Sequence, residues 1–445
     1  MPKTRFMRNK VRYTVLFAAL FSLATACFKD ENFDFKASGE GTGSYVTPSR
    51  EVEADVRNVL VYVAGGFNSL SNYLADDIEE LRNNMLPGNR TSRDHVLLVL
   101  SRLPVNPYSP NYSVGTSPVL FRLYADENGN AVSDTLCIWS KDTPLSKAST
   151  IREALEYVQR TFPGNRYGMI LSSHASGWLP SRYYNDPSPF ESPLFAPGKR
   201  KAAEFFPPLV QEEGMPAVKS FGVDEESNPL EIEIDDLAAA IPLHLDYLLF
   251  DACLMGCVEV AYELREVADL VGFSPTEVLA DGFDYTTLTQ RLLIDKPDPV
   301  AVCREYFNHY DSQTGAYRSA TISLVDTREM DSLAELCGSL FEKYRSNIAA
   351  LSGANVQGYF RKNRHYFYDL QDILVKAGIS EQEKTQLQNA LDRCLVYKAA
   401  TPSFLEIDID TYSGFSMYLP SRGSQYLNNY YRSHVAWNKA TGLIK

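Results

Sequence analysis

The sequence predicts an α/β fold in which helices cover both faces of a mostly parallel central sheet, a three-layer α/β/α sandwich. Short strands that are apolar throughout alternate with segments of helical periodicity, as is typical of parallel strands buried on both faces. The 445 residues are 44% hydrophobic and 22% charged, an ordinary globular composition. Beyond about residue 327 helical periodicity dominates, which predicts a mainly helical C-terminal region.

The first half of the chain supplies most of the predicted strands. The run 58–64 is β-branched and apolar and ends in two glycines, and leucine and isoleucine then recur at helical spacing over 70–81. The predicted elements that follow are strands at 95–100, 119–124 and 132–139, a helix at 150–160 that ends before Pro163 and Gly164, and a strand at 167–173.

A long Pro-rich stretch divides the predicted core, which spans 56–326, and is interpreted as an insertion at about 178–236. The elements predicted after it are a strand at 247–250, a helix at 255–270 and a strand at 321–325. In the C-terminal region, 327–445, the expected elements are helices at 330–344 and 381–395 and a closing strand at 414–419.

The N-terminus resembles a bacterial lipoprotein signal. Residues 1–26 combine a basic start with an apolar stretch of about 14 residues, suited to a signal peptide and short for a membrane span of ~20. Small residues precede Cys27, which is interpreted as the lipidated first residue of the exported protein; the alternative is a plain signal peptide with a chance cysteine. The polar residues 27–55 then form a flexible tether. The acids after Lys29 resemble a surface-export signal of Bacteroidetes lipoproteins, which predicts an outer-membrane or cell-surface location.

Charge and cysteine content exclude other classes of protein. A formal net charge of −13 argues against nucleic-acid binding, which requires clustered cations. Seven cysteines are too few for a disulfide scaffold, and their odd number leaves at least one outside any intrachain pair. Five cysteines are interpreted as buried thiols, with one disulfide open to them after export: Cys137, Cys257, Cys303, Cys337 and Cys394.

Two predicted strands deliver residues suited to nucleophilic catalysis. His174 follows the strand at 167–173, and Cys253 follows the strand at 247–250. Because the carboxyl ends of parallel strands meet at one edge of a sheet, this histidine can handle the proton of this thiol. Cys253 also precedes a predicted helix, whose dipole would favour the thiolate. The backbone amides of Cys253 and Ala175 are the candidate oxyanion donors.

These residues carry a family resemblance. The segments HASGW (174–178) and FDACLMG (250–256), with VLVYVAGGFNSL (59–70) before them and SPTEVLADGFDY (274–285) and GFSMYLP (414–420) after them, resemble the clostripain family of cysteine peptidases, which belongs to the caspase-like clan. The resemblance covers residues from about 57 to 445. It implies a caspase-like fold, His174 as general base and Cys253 as nucleophile of a dyad, and cleavage after Arg or Lys through an acyl-enzyme.

The resemblance also implies a substrate pocket for a basic side chain. It places Asp251 there, since a carboxylate in a partly desolvated pocket pairs well with Arg or Lys; the alternative is that Asp251 caps the following helix. Asp281 and Asp284, in the loop after the next strand-like segment, are further candidates for the same pocket. The family usually has Gly where Ala175 stands, and loss of its conformational freedom would distort the oxyanion hole if the loop needs a positive φ. The early family motif usually carries an acid that is missing from 65–70.

Some family members cut themselves at a basic residue between the histidine and the cysteine. Lys199, Arg200 and Lys201 lie in this interval, within the insertion, and are candidates for self-cleavage; the alternative is a solvated basic loop. Calcium activates some members, but the acids at 224–226 and 231–236 lack the spacing of an EF-hand loop. The prediction is therefore no obligatory cofactor, with calcium as an optional one. No residues are assigned to a metal, because no histidine near Cys253 and Cys257 completes a ligand set.

Two other functions remain open from the sequence. The chain would be a binding or scaffold lipoprotein on a catalytically impaired peptidase fold if Ala175 disables the site. It would be a cysteine hydrolase of non-peptide amides or esters if the dyad works on another substrate. If the chain is a cysteine endopeptidase, its expected partners are peptides or proteins with Arg or Lys at the cleavage site, and a membrane to which the lipid anchor binds.

Overall fold

The computed structural model describes residues 43–45, 56–65, 70–88, 95–102, 117–183, 216, 218–219, 232–359 and 366–445. The predictions for residues 1–26, for Cys27 and for Lys199, Arg200 and Lys201 therefore lie outside the described residues, as does most of the predicted insertion.

The strands of the described residues are β1 (Gly43–Tyr45), β2 (Val56–Ala64), β3 (His95–Ser101), β4 (Val119–Ala125), β5 (Ala131–Trp139), β6 (Gly164–Ser172), β7 (Val218–Lys219), β8 (Leu245–Asp251), β9 (Ala268–Phe273), β10 (Val278–Leu279), β11 (Thr321–Asp326), β12 (Tyr368–Asp369), β13 (Leu395–Ala400), β14 (Ser403–Phe404), β15 (Ile407–Asp408) and β16 (Ser416–Met417).

The helices of the described residues are α1 (Ser71–Arg82), α2 (Ala148–Thr161), α3 (Ile234–Ala240), α4 (Val258–Glu263), α5 (Tyr285–Leu292), α6 (Pro299–Asp311), α7 (Met330–Ala349), α8 (Leu370–Lys376), α9 (Glu381–Cys394), α10 (Gln425–His434) and α11 (Ala436–Thr441).

Ten of the described strands form one mixed sheet in the order β1-β5-β4-β3-β2-β6-β8-β9-β11-β13. The central strands β3, β2, β6, β8 and β9 run parallel to their neighbours within this group. Antiparallel strands complete both edges. The central strands are buried almost throughout, which explains their uninterrupted apolar sequences.

Helices cover both faces of the sheet, which gives the predicted three layers. Alternate side chains of β2 enter two separate cores, with Leu60 and Tyr62 on one face and Val59 and Val61 on the other. The first core is closed by apolar residues of α1, α5 and α6. The second is closed by those of α2, α4 and α7 and by the C-terminal helices α10 and α11.

One predicted helix is wrong in extent. Residues 255–270 were expected to be helical, whereas α4 covers only Val258–Glu263 and is followed by a short 3-10 turn. The segment Ala268–Phe273 is instead strand β9, because it pairs with β8 on one side and with β11 on the other. Tertiary pairing of an apolar segment here overrides its helical spacing.

The C-terminal region is less purely helical than its sequence suggests. Strand β13 pairs antiparallel with β11 and so becomes an edge of the main sheet. Strand β16 pairs with β12 and also touches the loop after β8, through the bridge between Ser416 and Cys257. The end of the chain therefore packs against the segment that follows Asp251.

The five candidate cysteines are buried free thiols, so the expectation of buried thiols is confirmed and no disulfide joins them. None of the described helices is long and apolar enough to span a bilayer.

Candidate active site

The pairing of β6 with β8 brings His174 and Cys253 to the same edge of the sheet. These strands are parallel neighbours, and their last registered pair is Ser172 opposite Asp251. Parallel neighbours lie about 4.8 Å apart. His174 and Cys253 each follow two residues after this pair. The two residues therefore occupy corresponding positions in the loops that follow adjacent strand ends, where the sequence placed them.

Asp251 joins the ends of these strands. Ser172 Oγ donates to Asp251 Oδ2 at 3.1 Å, and the Tyr285 hydroxyl donates to the same oxygen at 2.9 Å. Burial, and then the charge of Asp251, raise the pKa of Tyr285 well above its ordinary value. Asp251 is only 1% exposed. The buried Asp251 carboxylate thus links the end of β8 to the end of β6 and to helix α5.

The helix-capping alternative for Asp251 is wrong. Helix α4 begins at Val258, and its N-cap residue is Cys257. The same boundary removes the proposed helix-dipole effect on Cys253, because that effect falls off within the first turn of a helix. Cys253 lies in the loop between β8 and α4.

Local backbone groups surround the thiol of Cys253. The backbone N–H of Val278 donates to Sγ at 3.2 Å, and the carbonyl oxygen of the same residue lies 3.8 Å from Sγ. An N–H donor favours the thiolate over the thiol. The residue is 2% exposed. Val278 begins β10, which pairs antiparallel with β7, with Val278 opposite Lys219. A strand of the insertion thus lies beside the residue that touches the nucleophile.

The histidine and cysteine loops contact each other at Gly177 and Leu254. Gly177 has φ +62°, and a Cβ placed there would lie 2.7 Å from the carbonyl oxygen of Leu254. Leu254 has φ +60°, an unfavourable value for a branched side chain. Its N–H donates to the Thr276 carbonyl at 2.8 Å, which helps to hold this conformation. Strained backbone next to a reactive group is common at functional sites.

The histidine loop is tied to the end of β2. The N–H of Gly65 donates to the Ser172 carbonyl at 2.9 Å, and Ser173 Oγ donates to the Gly65 carbonyl at 3.0 Å. A Cβ at Gly65 would lie 2.6 Å from that of Ser173, so close approach requires glycine here. His174, next along the chain, is partly exposed.

Ala175 does not need the freedom of glycine. In the described chain the non-glycine residues with positive φ are Arg182, Leu254 and Leu405. Ala175 is buried and adopts an ordinary backbone conformation. The distortion expected from a positive φ at this position is therefore absent. The role of the Ala175 amide as an oxyanion donor stays a prediction.

The two other candidate pocket residues are more exposed than Asp251. Asp281 is exposed in the loop after β10, and its charge adds to burial in raising the pKa of Asp76 on α1. Asp284 is the N-cap of α5 and accepts from the Thr286 N–H at 3.0 Å. This surface is acidic, and within the described residues no group of three or more His, Cys, Asp or Glu side chains is arranged to hold a metal.

A buried carboxyl lies in the helix after the nucleophile loop. Glu259 is 1% exposed, and its Oε1 accepts from the Tyr418 N–H at 2.9 Å and from the Tyr431 hydroxyl at 2.7 Å. Burial raises the pKa of Glu259 to about 7, although both donors and the nearby Cys257 thiol oppose this. Tyr418, which follows β16, and Tyr431, on α10, therefore both bind Glu259 of α4.

Sequence reasoning missed several of these features. The Val278 amide lies 25 residues beyond Cys253 and is a backbone group, so no residue type marks it. Gly177 lies in a segment that resembles the clostripain family, but its contact with Leu254 depends on tertiary packing. Glu259 appears in sequence as an acid among apolar residues of a helix, and this burial pattern is the signal that was missed.

Replacing Glu259 tests its burial through the pH dependence of stability. Since the folded protein binds this proton more tightly than the unfolded chain, the contribution is present below pH ~4.5 and is lost as the pH rises to about 7. The free energy of unfolding of the wild type should fall by about 3 kcal/mol relative to Glu259→Gln across this interval. Denaturant titrations measure it.

Glu335→Gln, on the exposed side of α7, is the matched control and should leave the profile unchanged. A difference between the wild type and Glu259→Gln that is independent of pH would contradict the assignment of a raised pKa to this carboxyl.

Comparisons with known proteins agree with this geometry. The profile of the clostripain family, peptidase family C11, matches residues 209–442. This stretch is just over half of the chain and contains Cys253, whereas His174 lies before it. No curated protein sequence matches the chain.

Solved structures extend the similarity to most of the chain. An inactive zymogen C11 protease from Parabacteroides distasonis is 26% identical, with a TM-score of 0.66 over 88% of this chain and 99% of that one. A secreted C11 cysteine protease from Bacteroides thetaiotaomicron, iotapain, is 23% identical, with a TM-score of 0.67 over 87% and 100%. The second likeness supports the caspase-like fold alone. With just over half of its length matched by the family profile, the chain belongs to the clostripain family of cysteine peptidases.

Proposed function

We propose that this chain is a lipid-anchored cysteine endopeptidase that cleaves after Arg or Lys with a dyad of His174 and Cys253. The observation that carries this proposal is the parallel register of β6 and β8. It places Ser172 opposite Asp251, so that His174 and Cys253 each follow two residues after paired strand ends. A thiol needs an imidazole within reach to act as an efficient nucleophile.

The proposed reaction proceeds through an acyl-enzyme. The thiolate of Cys253 attacks the carbonyl carbon of the scissile bond, and the N–H groups of Cys253 and Ala175 stabilise the oxyanion. Protonated His174 gives its proton to the departing amine. It then removes a proton from water, which attacks the thioester and releases the acid. The Val278 N–H at 3.2 Å from Sγ supports the thiolate state.

Negative charge around the nucleophile supports a preference for basic residues. Asp251 lies two residues before Cys253, and Asp281 lies three residues after Val278. Asp281 is exposed and lies near Asp76, so their fields add at this surface. Asp251 is closed off in this structure, so a substrate side chain would reach it only after the pocket opens. Asp284 contributes to the same field from the N-terminus of α5.

The proposed location is the outer membrane or cell surface, with Cys27 as the lipidated residue. Support comes from the sequence: a basic start, a short apolar stretch and small residues before the cysteine. Two or more acyl chains on this cysteine would anchor the protein stably in the membrane, whereas a single chain would bind only marginally. The substrates are then peptides or proteins outside the cell, with calcium as an optional activator.

Removing either dyad residue tests the proposed chemistry. On fluorogenic peptides ending in Arg or Lys, His174→Ala and Cys253→Ala should each lower kcat/KM by at least about 10³-fold, since members of a catalytic unit act together. Cys137→Ala removes another buried thiol, in β5, and serves as the control.

A wild type that cleaves esters but no basic peptide would instead support a non-peptide hydrolase. A wild type that neither cleaves basic peptides nor reacts with a thiol-directed basic-peptide probe would support the binding or scaffold alternative.

Self-cleavage in the insertion is proposed at Lys199, Arg200 or Lys201. The motivation is that β7, downstream of these residues, pairs with β10 beside the nucleophile. Wild type should yield two fragments on a denaturing gel, whereas Cys253→Ala and a variant with all three basic residues changed to Gln should stay intact. Fragments of equal yield in Cys253→Ala would show that another protease makes the cut.

The contact between the two loops predicts a sensitive glycine. Gly177→Ala adds a Cβ against the Leu254 carbonyl and should lower kcat by about ten-fold or more, because small displacements of reacting groups are costly. Gly315→Ala is the matched control. It has the same φ of +62°, but the added Cβ meets nothing within 4 Å. Equal activity of the two variants would show that the loop contact does not align the dyad.

A further inference from the structure

The loop after β10 carries one exposed acid between buried residues. Asp281 is exposed, whereas Ala280 before it and Gly282 after it are buried. Three residues before Asp281, the N–H of Val278 lies 3.2 Å from Cys253 Sγ. Since consecutive Cα atoms are about 3.8 Å apart, the Cα atoms of Asp281 and Val278 are separated by at most about 11 Å. An extended Arg or Lys side chain of a substrate held at Cys253 can cover such a distance.

A hydrogen bond from helix α6 holds the turn that contains Asp281. The N–H of Gly282 donates to the Leu279 carbonyl at 2.9 Å, and Gly282 has φ +63°, a left-handed conformation that favours glycine. The Tyr310 hydroxyl donates to the Gly282 carbonyl at 2.8 Å. Tyr310 is 2% exposed. Because water has little access to this contact, loss of the hydroxyl would leave a buried carbonyl without its donor.

A second tyrosine of α6 packs beside the same loop without such a bond. The Tyr306 ring lies edge-on against Phe283 and against Tyr310, with centroid distances of 5.2 and 5.0 Å. Its hydroxyl is buried and makes no hydrogen bond within the described residues. The two tyrosines therefore differ in one respect that matters here: Tyr310 binds the backbone of the loop, whereas Tyr306 contributes packing.

Of the three candidate pocket acids, Asp281 is the one available to a basic side chain in this structure. The Asp251 carboxylate is buried and accepts from Ser172 and Tyr285. Asp284 caps helix α5. Asp281 forms no ion pair with any described residue. An exposed carboxylate on a rigid turn can bind a guanidinium or ammonium group without first losing another partner.

We infer that Tyr310 is a positioning residue for substrate selection: by binding the Gly282 carbonyl, its hydroxyl fixes the turn that presents Asp281 to the basic side chain of the substrate. The inference rests on the proposed preference for Arg or Lys, and it assigns to α6 a part in that preference. Tyr310 itself need not touch the substrate.

Removing the Tyr310 hydroxyl should weaken the binding of basic residues and spare the chemistry. On a fluorogenic peptide with Arg at the cleavage site, we expect Tyr310→Phe to raise KM by about three- to ten-fold with kcat within about two-fold, since this contact acts on the ground state and the transition state alike. The inhibition constant of agmatine, a guanidinium compound without a scissile bond, should rise by a similar factor. Neither constant depends on the fraction of active protein.

Tyr306→Phe is the matched control, because it removes a hydroxyl that makes no described hydrogen bond from the same helix, and it should leave both constants unchanged. Asp281→Asn should raise both by about ten-fold or more, which keeps the inference testable if Tyr310→Phe folds poorly. Glu335→Gln, at an exposed site on α7, controls for the lost charge. If Tyr310 acts through Asp281, adding Tyr310→Phe to Asp281→Asn should change neither constant by more than about two-fold.

Equal constants in Tyr310→Phe and Tyr306→Phe, or wild-type constants in Asp281→Asn, would overturn the inference while leaving the preference of the wild type for basic residues intact. A wild type that cleaves no Arg peptide would overturn the proposed preference, and the inference with it.

Discussion

The parallel register between β6 and β8 is the constraint on which the rest of the site depends. It ends with Ser172 opposite Asp251, and a hydrogen bond of 3.1 Å between their side chains closes the pair. A slip of one residue in either strand would turn its side chains to the other face of the sheet. The hydrogen bond at Asp251 therefore stabilises the register that determines where the loops carrying His174 and Cys253 begin.

Beyond the strands, close contacts rather than regular structure hold the reactive groups. Gly177 lies against Leu254, whose left-handed backbone is held by the Thr276 carbonyl, and Val278 donates to the thiol. The Tyr418 N–H and the hydroxyl of Tyr431 on α10 bind Glu259 of α4, the helix that follows the nucleophile loop. The C-terminal region is thus part of the support of the site, which explains why residues far along the chain belong to the family pattern.

The sequence predicted those elements whose apolar residues form a continuous run or recur at regular spacing. Apolar strands such as 167–173 and 247–250 are confirmed within a few residues, and the loops after them carry His174 and Cys253 as expected. The helix predicted over 255–270 failed, because Ala268–Phe273 has pairing partners on both sides that no local pattern reveals. Contacts of backbone groups, such as Val278 N–H with Cys253, were out of reach because they depend on tertiary placement. The burial of Asp251 was missed for a similar reason: the tyrosine that covers it comes 34 residues later.

The central claim is that His174 stabilises the thiolate of Cys253 across the ends of β6 and β8. The most direct test is the rate of Cys253 alkylation by iodoacetamide from pH 4 to 10 with and without His174→Ala, in proteins that both carry Lys199→Gln, Arg200→Gln and Lys201→Gln so that they are compared uncut. With His174 in place the thiol pKa should lie below the ordinary value of about 8.5, and it should rise by roughly one unit or more in His174→Ala. Superimposable profiles for the two proteins would contradict it.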